Sequence, residues 1–240
     1  MSDVRYTRHM AGYRERVRAE LTADIKASAR RQMEVDGANQ LSLRSIAREL
    51  GMASSAIYRY FPSRDELLTA LIVDAYNELG EVAERADADA DADAADRDPA
   101  TRFTAVALAA YHWARRHPSQ YSLLFGTPVP GYAAPDDTIG PATRFTLVLL
   151  RILDAASQLG SVPTVAPTVP ASVEPDLHQL RALTGTTSND TMLIAGLQVW
   201  TGLFGAISFV LFGQFKNVIT DVDALFESIV SVLARQVFDH

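Results

Sequence analysis

The chain has 240 residues, of which 48% are apolar, so it can bury a substantial core in one large domain or in a small and a larger one. It contains no cysteine, which excludes a disulfide scaffold, a thiolate zinc site and a cysteine nucleophile. The net charge of −7 is uneven, because residues 1–70 have 12 basic and 9 acidic side chains whereas residues 71–240 have 10 and 20. This distribution favours one basic surface that binds phosphates.

The N-terminal residues are basic and lack the apolar core of a signal peptide. We therefore expect a cytoplasmic protein with a flexible arm over residues 1–12. From Tyr13 to Asp36 apolar side chains recur every four residues, which predicts a helix with one apolar stripe. Gly37 is suited to end that helix, since glycine readily adopts a left-handed backbone.

Two short predicted helices follow, joined by a tight turn. Ser42 is a suitable N-cap for the first, which ends at Gly51. The second runs from about Ser54 to Tyr60, and Pro62 prevents its continuation. This spacing is typical of a helix-turn-helix, in which the second helix enters the major groove of DNA.

A longer predicted helix opens at Ser63, which forms a capping box with Glu66. Residues 86–98 then alternate Ala and Asp and offer no apolar face, so we expect a linker rather than a strand or a calcium loop. Asp98 and Pro99 are suited to begin another helix.

The remaining sequence predicts further helices and no strand. Loops rich in Pro or Gly are expected over residues 126–141 and 160–175. A final helix is expected over residues 222–238, where apolar side chains lie on one face. The predicted fold class is all-α.

Several motifs are similar to those of one family of regulators. The first group is Ser42, Ile46-Ala47, Gly51, Tyr58, Tyr60-Phe61, Arg64, Glu66 and Leu67-Leu68. The second group is Tyr111–Pro118, Tyr121–Gly126, Pro128–Tyr132 and Trp200–Gly205. Residues 14–68 thus resemble the DNA-binding domain of the tetracycline-repressor (TetR) family, and the later motifs resemble a subgroup with a Trp-His-Gly signature. Ala53 replaces the family's usual Ser or Thr cap, and Phe204 stands where the signature His is expected.

The resemblance implies a homodimeric transcriptional regulator, a repressor released from a palindromic operator by an unknown small molecule. It implies a DNA-binding domain at residues 1–62 and a ligand-binding and dimerisation domain at residues 63–240, with a four-helix dimer interface. We expect small or forked side chains of the third helix to reach bases, and basic or hydroxyl side chains to contact phosphates. The DNA-binding candidates are Arg14, Arg18, Ser42, Arg44, Ser54, Ser55, Ala56, Tyr58, Arg59, Tyr60 and Arg64.

Residues 191–215 contain no charged side chain and are long enough to span a bilayer. Polar residues interrupt the segment and it lacks a strong basic flank, so we favour a dimer helix over a membrane-tethered regulator. Its glycines would permit close helix approach. The dimer-interface candidates are Gly202, Gly205, Phe209, Phe212, Leu225, Ile229 and Leu233.

By the same resemblance a ligand pocket lies among the helices of the larger domain. The candidate lining residues are Tyr111, Trp113, Tyr121, Phe125, Phe145 and Trp200, each of which is also suited to plain core packing. His112 and His117 are five residues apart and do not share a helix face, so we expect no metal site and no cofactor. The alternative of a helical-bundle enzyme lacks support, since neither a carboxylate pair with a His partner nor a phosphate loop or nucleophile elbow is evident.

Overall fold

A computed structural model describes the backbone of residues 2–92 and 98–238, and their side chains except those of residues 2–12 and 14. All regular structure in these residues is helical, so the all-α prediction is confirmed. The α-helices in order are α1 (Ser2–Asp36), α2 (Leu43–Glu49), α3 (Arg64–Ala92), α4 (Pro99–Arg116), α5 (Pro118–Phe125), α6 (Ile139–Gln158), α7 (Glu174–Thr184), α8 (Asp190–Leu211) and α9 (Val222–Val237). Short 3-10 segments cover Ala38–Gln40, Ile57–Arg59 and Asp136–Thr138.

The chain divides into two compact units. The first unit is Met1–Asp74 with Ser119–Pro135, and the second unit is Ala75–Pro118 with Asp136–His240. The first unit extends beyond the boundary we expected at residue 62. The beginning of α3 belongs to it because Leu67, Leu68 and Leu71 are buried in its core.

The core of the first unit joins α1, α2 and the start of α3. On α1, Ile25, Ala29 and Met33 follow the four-residue spacing seen in the sequence, and all three are buried. The other buried members are Leu41, Leu43, Ile46, Ala47, Ile57, Phe61, Leu67, Leu68 and Leu71. Apolar residues of the 119–135 segment pack against the same core, and the hydroxyl groups of Thr69 and Tyr132 are 2.9 Å apart.

Helix caps were well predicted because they depend on local sequence. Ser42, Ser63 and Asp98 each accept a hydrogen bond from the backbone N–H three residues ahead, over 3.4, 3.1 and 3.1 Å. Gly37 follows α1 with φ of +79°, and its N–H donates to the carbonyl of Met33 over 3.0 Å. These caps fix where α1 ends and where α2, α3 and α4 begin.

The predicted third α-helix, from Ser54 to Tyr60, was wrong. Residues 54–56 form a turn, and only Ile57–Arg59 is helical, in a 3-10 segment without a side-chain cap. The N–H groups of Ala56, Arg59 and Tyr60 bond to the carbonyl three residues back. Ala53 has no side-chain oxygen to cap an α-helix, and so short a helix gains little from its own hydrogen bonds.

Two expectations about the chain outside the core were also wrong. The flexible arm is replaced by helix, because α1 begins at Ser2. The Ala-Asp linker does not begin at residue 86, because α3 continues to Ala92 and alanine favours helix more than any other residue. Residues 93–97 of the expected linker lie outside the described residues.

The Pro-rich and Gly-rich loops are shorter than the expected 126–141 and 160–175. Residues Asp136–Thr138 form a 3-10 segment and α6 begins at Ile139, while α7 begins at Glu174. Pro141 and Pro175 lie in the first turns of α6 and α7, where a missing N–H leaves no helical hydrogen bond unmade.

In the second unit α8 packs along α9, and α4 contacts α6, α8 and α9. By length and composition α8 could cross a membrane, yet Val199, Leu203 and Ile207 are buried within the unit. At Gly202 a Cβ atom would lie 2.9 Å from Leu233 Cδ2, so this glycine permits the close approach of α8 and α9. One face of α8 therefore belongs to the core of the second unit.

The continuation of α3 rests on a buried ion pair that links it to α4. The Asp87 side chain is 7% exposed, and its Oδ1 accepts hydrogen bonds from Arg102, whose Nη2 lies 2.8 Å away. Arg151 of α6 lies 3.6 Å from Oδ2 of the same carboxylate. This aspartate, within a run that looked like solvated linker, therefore joins three helices.

We predict that Asp87→Ala lowers the free energy of unfolding by about 3 kcal/mol, because the largely buried Arg102 guanidinium then loses its buried partner and keeps the exposed Asp91 carboxylate, 3.2 Å from its Nη1. Urea unfolding followed by circular dichroism measures the change. The control is Asp89→Ala, an exposed aspartate of the same helix and run, which should change stability by less than about 0.5 kcal/mol. Equal losses in both variants would contradict a structural role for Asp87.

Candidate nucleic-acid interface and apolar cavity

The turn after α2 presents small and polar side chains on the surface. Ile57 is fully buried, and its neighbours Tyr58 and Arg59 are exposed, Tyr58 by 41%. Ser54 and Ser55, in the preceding turn, are also exposed. Residues 54–59, which we call the recognition segment, therefore place hydroxyl groups and one guanidinium on a surface anchored by a single buried side chain.

Arg18 of α1 holds the end of the recognition segment. Its Nη2 donates to the backbone carbonyl of Arg59 over 3.2 Å, and its guanidinium lies 5.6 Å from the ring centroid of Tyr60. The sequence predicted a phosphate contact for Tyr60 and, for Arg18, a contact with the DNA backbone or minor groove or plain solvation. It did not reveal this pairing, because Arg18 and Arg59 are 41 positions apart. Arg18 thus positions the segment through its backbone.

Arg64 also makes contacts within the first unit. Its Nη2 donates to the carbonyls of Ala38 and Asn39 over 3.0 and 3.2 Å, and its Nη1 lies 3.8 Å from the Asp65 carboxylate. The guanidinium therefore supports the 3-10 segment before α2. A phosphate contact would have to share this group with the two carbonyls.

The second helix is braced against α1 by Glu49. Its carboxylate accepts hydrogen bonds from the Ser28 hydroxyl and from Arg31 Nη2, each over 2.6 Å. These hydrogen bonds, with Ser28 the larger cause, lower the pKa of Glu49 from its ordinary value. Gln32 adds a further tie, since its Oε1 accepts from the N–H of Ser42 over 3.0 Å.

The DNA-binding candidates whose side chains are described are all exposed or half-buried, so DNA could reach them. The side chain of Arg14 lies outside the described part of the structure. The exposed candidates are Arg18, Arg44, Ser54, Ser55, Tyr58 and Arg59, and the half-buried ones are Ser42, Ala56, Tyr60 and Arg64. The candidates from Ser42 onward follow one another over the short stretch from α2 to the start of α3.

The second unit contains an apolar cavity of about 200 Å³. On α6 it is lined by Leu149, Leu150 and Leu153, and on α8 by Gly196 and Trp200 among others. Phe103 of α4, Leu180 of α7 and Phe238 complete the wall. Sequence reasoning identified only Trp200 of this set, because the lining comes from four helices and the chain end that no local pattern relates.

The five remaining pocket candidates do not line this cavity. Tyr111 stacks on Phe226 with ring centroids 3.9 Å apart, and its hydroxyl donates to Asp223 and accepts from Arg115. Burial and the Asp223 carboxylate raise the pKa of Tyr111. The other four are Trp113 and Phe145 in the second unit, and Tyr121 and Phe125 in the first.

The dimer-interface candidates differ in how they are used within one chain. Gly202 and Leu233 pack against each other between α8 and α9, and Leu225 and Ile229 are half-buried. Three candidates at the end of α8 and just after it remain on the surface: Gly205 has no atom within 4 Å of an added Cβ, and Phe209 and the C-cap residue Phe212 are 53% and 46% exposed. Unlike Gly202 and Leu233, these three residues could contact a second copy of the chain without a change in conformation.

Helix α6 connects the cavity with α3 through Arg144. Its guanidinium donates to both carboxylate oxygens of Glu84, over 3.0 and 2.6 Å, and to the side-chain and backbone oxygens of Asn77, over 2.9 and 3.2 Å. At Gly80 a Cβ atom would lie 2.7 Å from Arg144 Cβ, so the helices approach closely there. The helix that lines the cavity is thus fastened to α3.

Comparison with known proteins identifies both parts of the chain. Residues 25–71 match the family of bacterial regulatory proteins of the tetR type, and residues 103–233 match the tetracycline-repressor-like C-terminal domain. The HTH-type transcriptional regulator Rv1816 of Mycobacterium tuberculosis is 38% identical over 231 residues, which cover 95% of this chain and 97% of that protein. The chain belongs to the TetR family of transcriptional regulators.

Other proteins agree with this assignment. Regulator Mb1846 of Mycobacterium bovis has the same identity and coverage as Rv1816. The crystal structure of the regulatory protein SCO4313 is 34% identical, has a TM-score of 0.75, and is matched over 91% of this chain and 97% of that one. A protein of unknown function from Rhodococcus sp. RHA1, 22% identical with a TM-score of 0.68 over 91% of this chain and 96% of that one, shares the fold.

Membership in the TetR family replaces the enzyme alternative, because this is a family of transcription regulators without enzymatic activity. It also implies DNA binding through the helix-turn-helix of the first unit.

Phe204 stands where the family's Trp-His-Gly signature has its His. Its ring packs against Phe145 and Trp200, with ring centroids 5.1 and 6.2 Å apart. An aromatic contact therefore occupies this position.

The Arg144–Glu84 pair predicts a pH dependence of stability for this TetR protein. The hydrogen bonds from Arg144 lower the pKa of Glu84 below its ordinary value of 4.5. Its contribution to stability is therefore complete above that value and is lost as the pH falls through the lower pKa of the folded state. Glu84→Gln should lower the free energy of unfolding at pH 7 by up to about 1 kcal/mol, since the pair is partly exposed.

Urea unfolding at a series of pH values measures this effect, and the curves of parent and variant should converge in acid. The control is Glu81→Gln, whose exposed side chain pairs with Arg85 one turn away on α3. Parallel pH curves for Glu84→Gln and the parent would contradict the assignment.

Proposed function

We propose that this TetR regulator is a cytoplasmic homodimeric repressor that binds a palindromic operator and is released by a small molecule. The observation that carries the proposal is the recognition segment, whose exposed hydroxyl and guanidinium groups are anchored by buried Ile57 and by Arg18. The excess of basic residues over residues 1–70, against an acidic remainder, supports the same surface as the one that approaches phosphates.

Within this proposal the first unit supplies both positioning and reading contacts. Arg44 on α2 contacts phosphate, since it is exposed beside the capped start of that helix. Ser54, Ser55 and Ala56 allow close approach to base edges, and Arg59 is the forked donor of the segment, for a guanine or a phosphate. Two such units in a twofold dimer, with recognition segments about 34–36 Å apart, read successive major grooves.

We predict different effects for two arginine variants on DNA binding. Arg44→Ala should weaken binding to all sequences about equally. It should also reduce the slope of log affinity against log salt concentration by about two per dimer, because one phosphate contact is lost in each copy. Arg59→Ala should change the sequence preference by about 5-fold to 150-fold at one position of each half-site, if it reads a base. Selection from a random duplex pool, followed by titration of single-base variants, measures both.

The control is Arg85→Ala, an exposed arginine of α3 that pairs with Glu81 and should leave DNA binding unchanged. A sequence preference of Arg59→Ala identical to that of the parent would assign Arg59 to phosphate. Failure of the parent protein to select any sequence would overturn the proposed function.

The dimer is proposed to form through α8 and α9. An uncharged stripe on α8, spaced by about one helical turn, is exposed in the single chain and consists of Leu197, Thr201, Gly205, Phe209 and Phe212. Val232 of α9 is 45% exposed. Pairing two copies of these helices would bury the stripe in a four-helix arrangement.

We predict that Phe209→Glu converts the dimer to monomer at micromolar concentration, because it places two like charges in the apolar interface of the twofold dimer. Light scattering after size-exclusion chromatography measures the mass. The control, Val35→Glu, alters an exposed apolar side chain of the first unit and should leave the mass unchanged. If the parent protein required detergent for release from washed membranes, the membrane-tethered alternative would be supported instead.

Release by a small molecule is proposed to act through α6 and α3. A ligand in the cavity contacts α6, and Arg144 joins α6 to Asn77 and Glu84 of α3. Helix α3 continues without a break into the residues that the first unit buries, so a shift of α6 would be passed along it. The ligand then favours dimers whose recognition segments no longer match the operator spacing.

A further inference from the structure

We infer that the cavity of the second unit binds an uncharged, largely apolar small molecule of about the size of a substituted benzene or a medium-length alkyl chain. The effect of this ligand on the affinity for DNA rests on the proposed function, whereas the binding of the ligand to the cavity does not. The inference depends on the chemistry, the size and the accessibility of the cavity.

The chemistry of the wall excludes a charged ligand group. Among the described residues that line the cavity, none is charged, and only Thr146 and Trp200 have a side-chain group that can form hydrogen bonds. A carboxylate, ammonium or phosphate group would lose its hydration without gaining a partner of opposite charge. An aliphatic chain or an aromatic ring, with at most one hydroxyl, is compatible with this wall.

Two charged side chains that neighbour lining residues in the sequence, Asp154 and Arg181, are already paired. Asp154, which follows Leu153, accepts hydrogen bonds from the hydroxyl groups of Thr186 and Ser188, each over 2.7 Å, and from the N–H of Ser188. Arg181, which follows Leu180, donates to Asp190. Both charges are therefore engaged in contacts that hold the loop before α8.

The volume sets the size of the ligand. A cavity of about 150 Å³ lined by leucine, isoleucine and phenylalanine holds one benzene molecule. The present cavity, at about 200 Å³, leaves room for a few further methylene groups. A long acyl chain would not be enclosed.

The cavity wall reaches the protein surface at α7 and α8, where Leu180 is half-buried and Leu197 is exposed. Leu180 of α7 lines it, and Leu177 is the buried residue of that helix, whereas Leu183 is 76% exposed. Leu197, on the α8 part of the wall, is 37% exposed. A helix anchored by so little apolar burial opens at lower free energy than the core helices around it.

The test is isothermal titration calorimetry of the full chain with matched probes. Ethylbenzene and 1-octanol should bind. Their charged counterparts should bind at least ~100-fold more weakly: 4-ethylbenzoate adds a carboxylate to ethylbenzene, and octanoate has a carboxylate in place of the alcohol end of 1-octanol. Equal or tighter binding of the carboxylates would overturn the inference, as would failure of both neutral probes to bind.

Two leucine variants of α6 locate the site. Leu150→Phe fills the cavity and should weaken ethylbenzene binding at least ~10-fold. Leu147→Phe makes the same change at a half-buried leucine of α6 that does not line the cavity, and it should retain the parent affinity. Leu180→Phe on α7 provides a second filling variant if Leu150→Phe does not fold. Parent affinity in a folded filling variant would place the probe elsewhere and overturn the inference.

A final measurement separates this inference from the proposed function. Affinity for a duplex selected by the parent protein is measured with and without saturating ethylbenzene. Binding of the probe with unchanged DNA affinity would overturn release through this cavity, while the ligand class would be supported by calorimetry. DNA binding by a protein that takes up neither neutral probe would overturn the ligand class and leave the DNA-binding proposal supported.

Discussion

Burial of Ile57 determines the conformation of the recognition segment. A 3-10 segment of three residues has too few hydrogen bonds to hold its own shape. Its orientation comes instead from Ile57 in the core of the first unit and from Arg18, which binds the carbonyl of Arg59. Glu49 fixes α2 to α1 in the same region. The proposed DNA-binding surface thus depends on α1 as much as on the helix-turn-helix itself.

In the second unit polar contacts fasten α3 where apolar packing alone would allow sliding. Gly80 brings α3 so close to α6 that Arg144 reaches both Glu84 and Asn77 with one guanidinium. Asp87, five residues before the end of α3, is held by Arg102 and Arg151. A bidentate guanidinium and a buried carboxylate have strict geometric requirements, so they define one register between these helices.

Features set by local sequence were predictable, and features set by distant residues were not. The caps at Ser42, Ser63 and Asp98 involve residues three positions apart, and each was found. The Ala-Asp run predicts a linker, because its local sequence does not reveal the arginine that pairs with Asp87 from 15 residues away. The predicted α-helix at residues 54–60 is wrong for a related reason. Ala53 has no side chain that can cap a helix, and burial of Ile57 in the core determines the conformation of the segment instead. The residues that line the cavity come from four helices, and the sequence predicted only Trp200 among them.

Helix α8 serves two surfaces of the same unit. Gly196, Val199 and Trp200 line the cavity, while Gly205, Phe209 and Phe212 continue the same helix toward its exposed, uncharged end. A rigid helix cannot shift at one of these surfaces without moving the other, because its backbone hydrogen bonds hold all its residues together. If the exposed stripe joins two copies and the cavity takes up the proposed ligand, a shift of α8 would therefore change the angle between the copies as well as the position of α6. The small volume of the cavity is sufficient for this, because helix shifts of 1–2 Å at subunit interfaces are enough to switch assemblies.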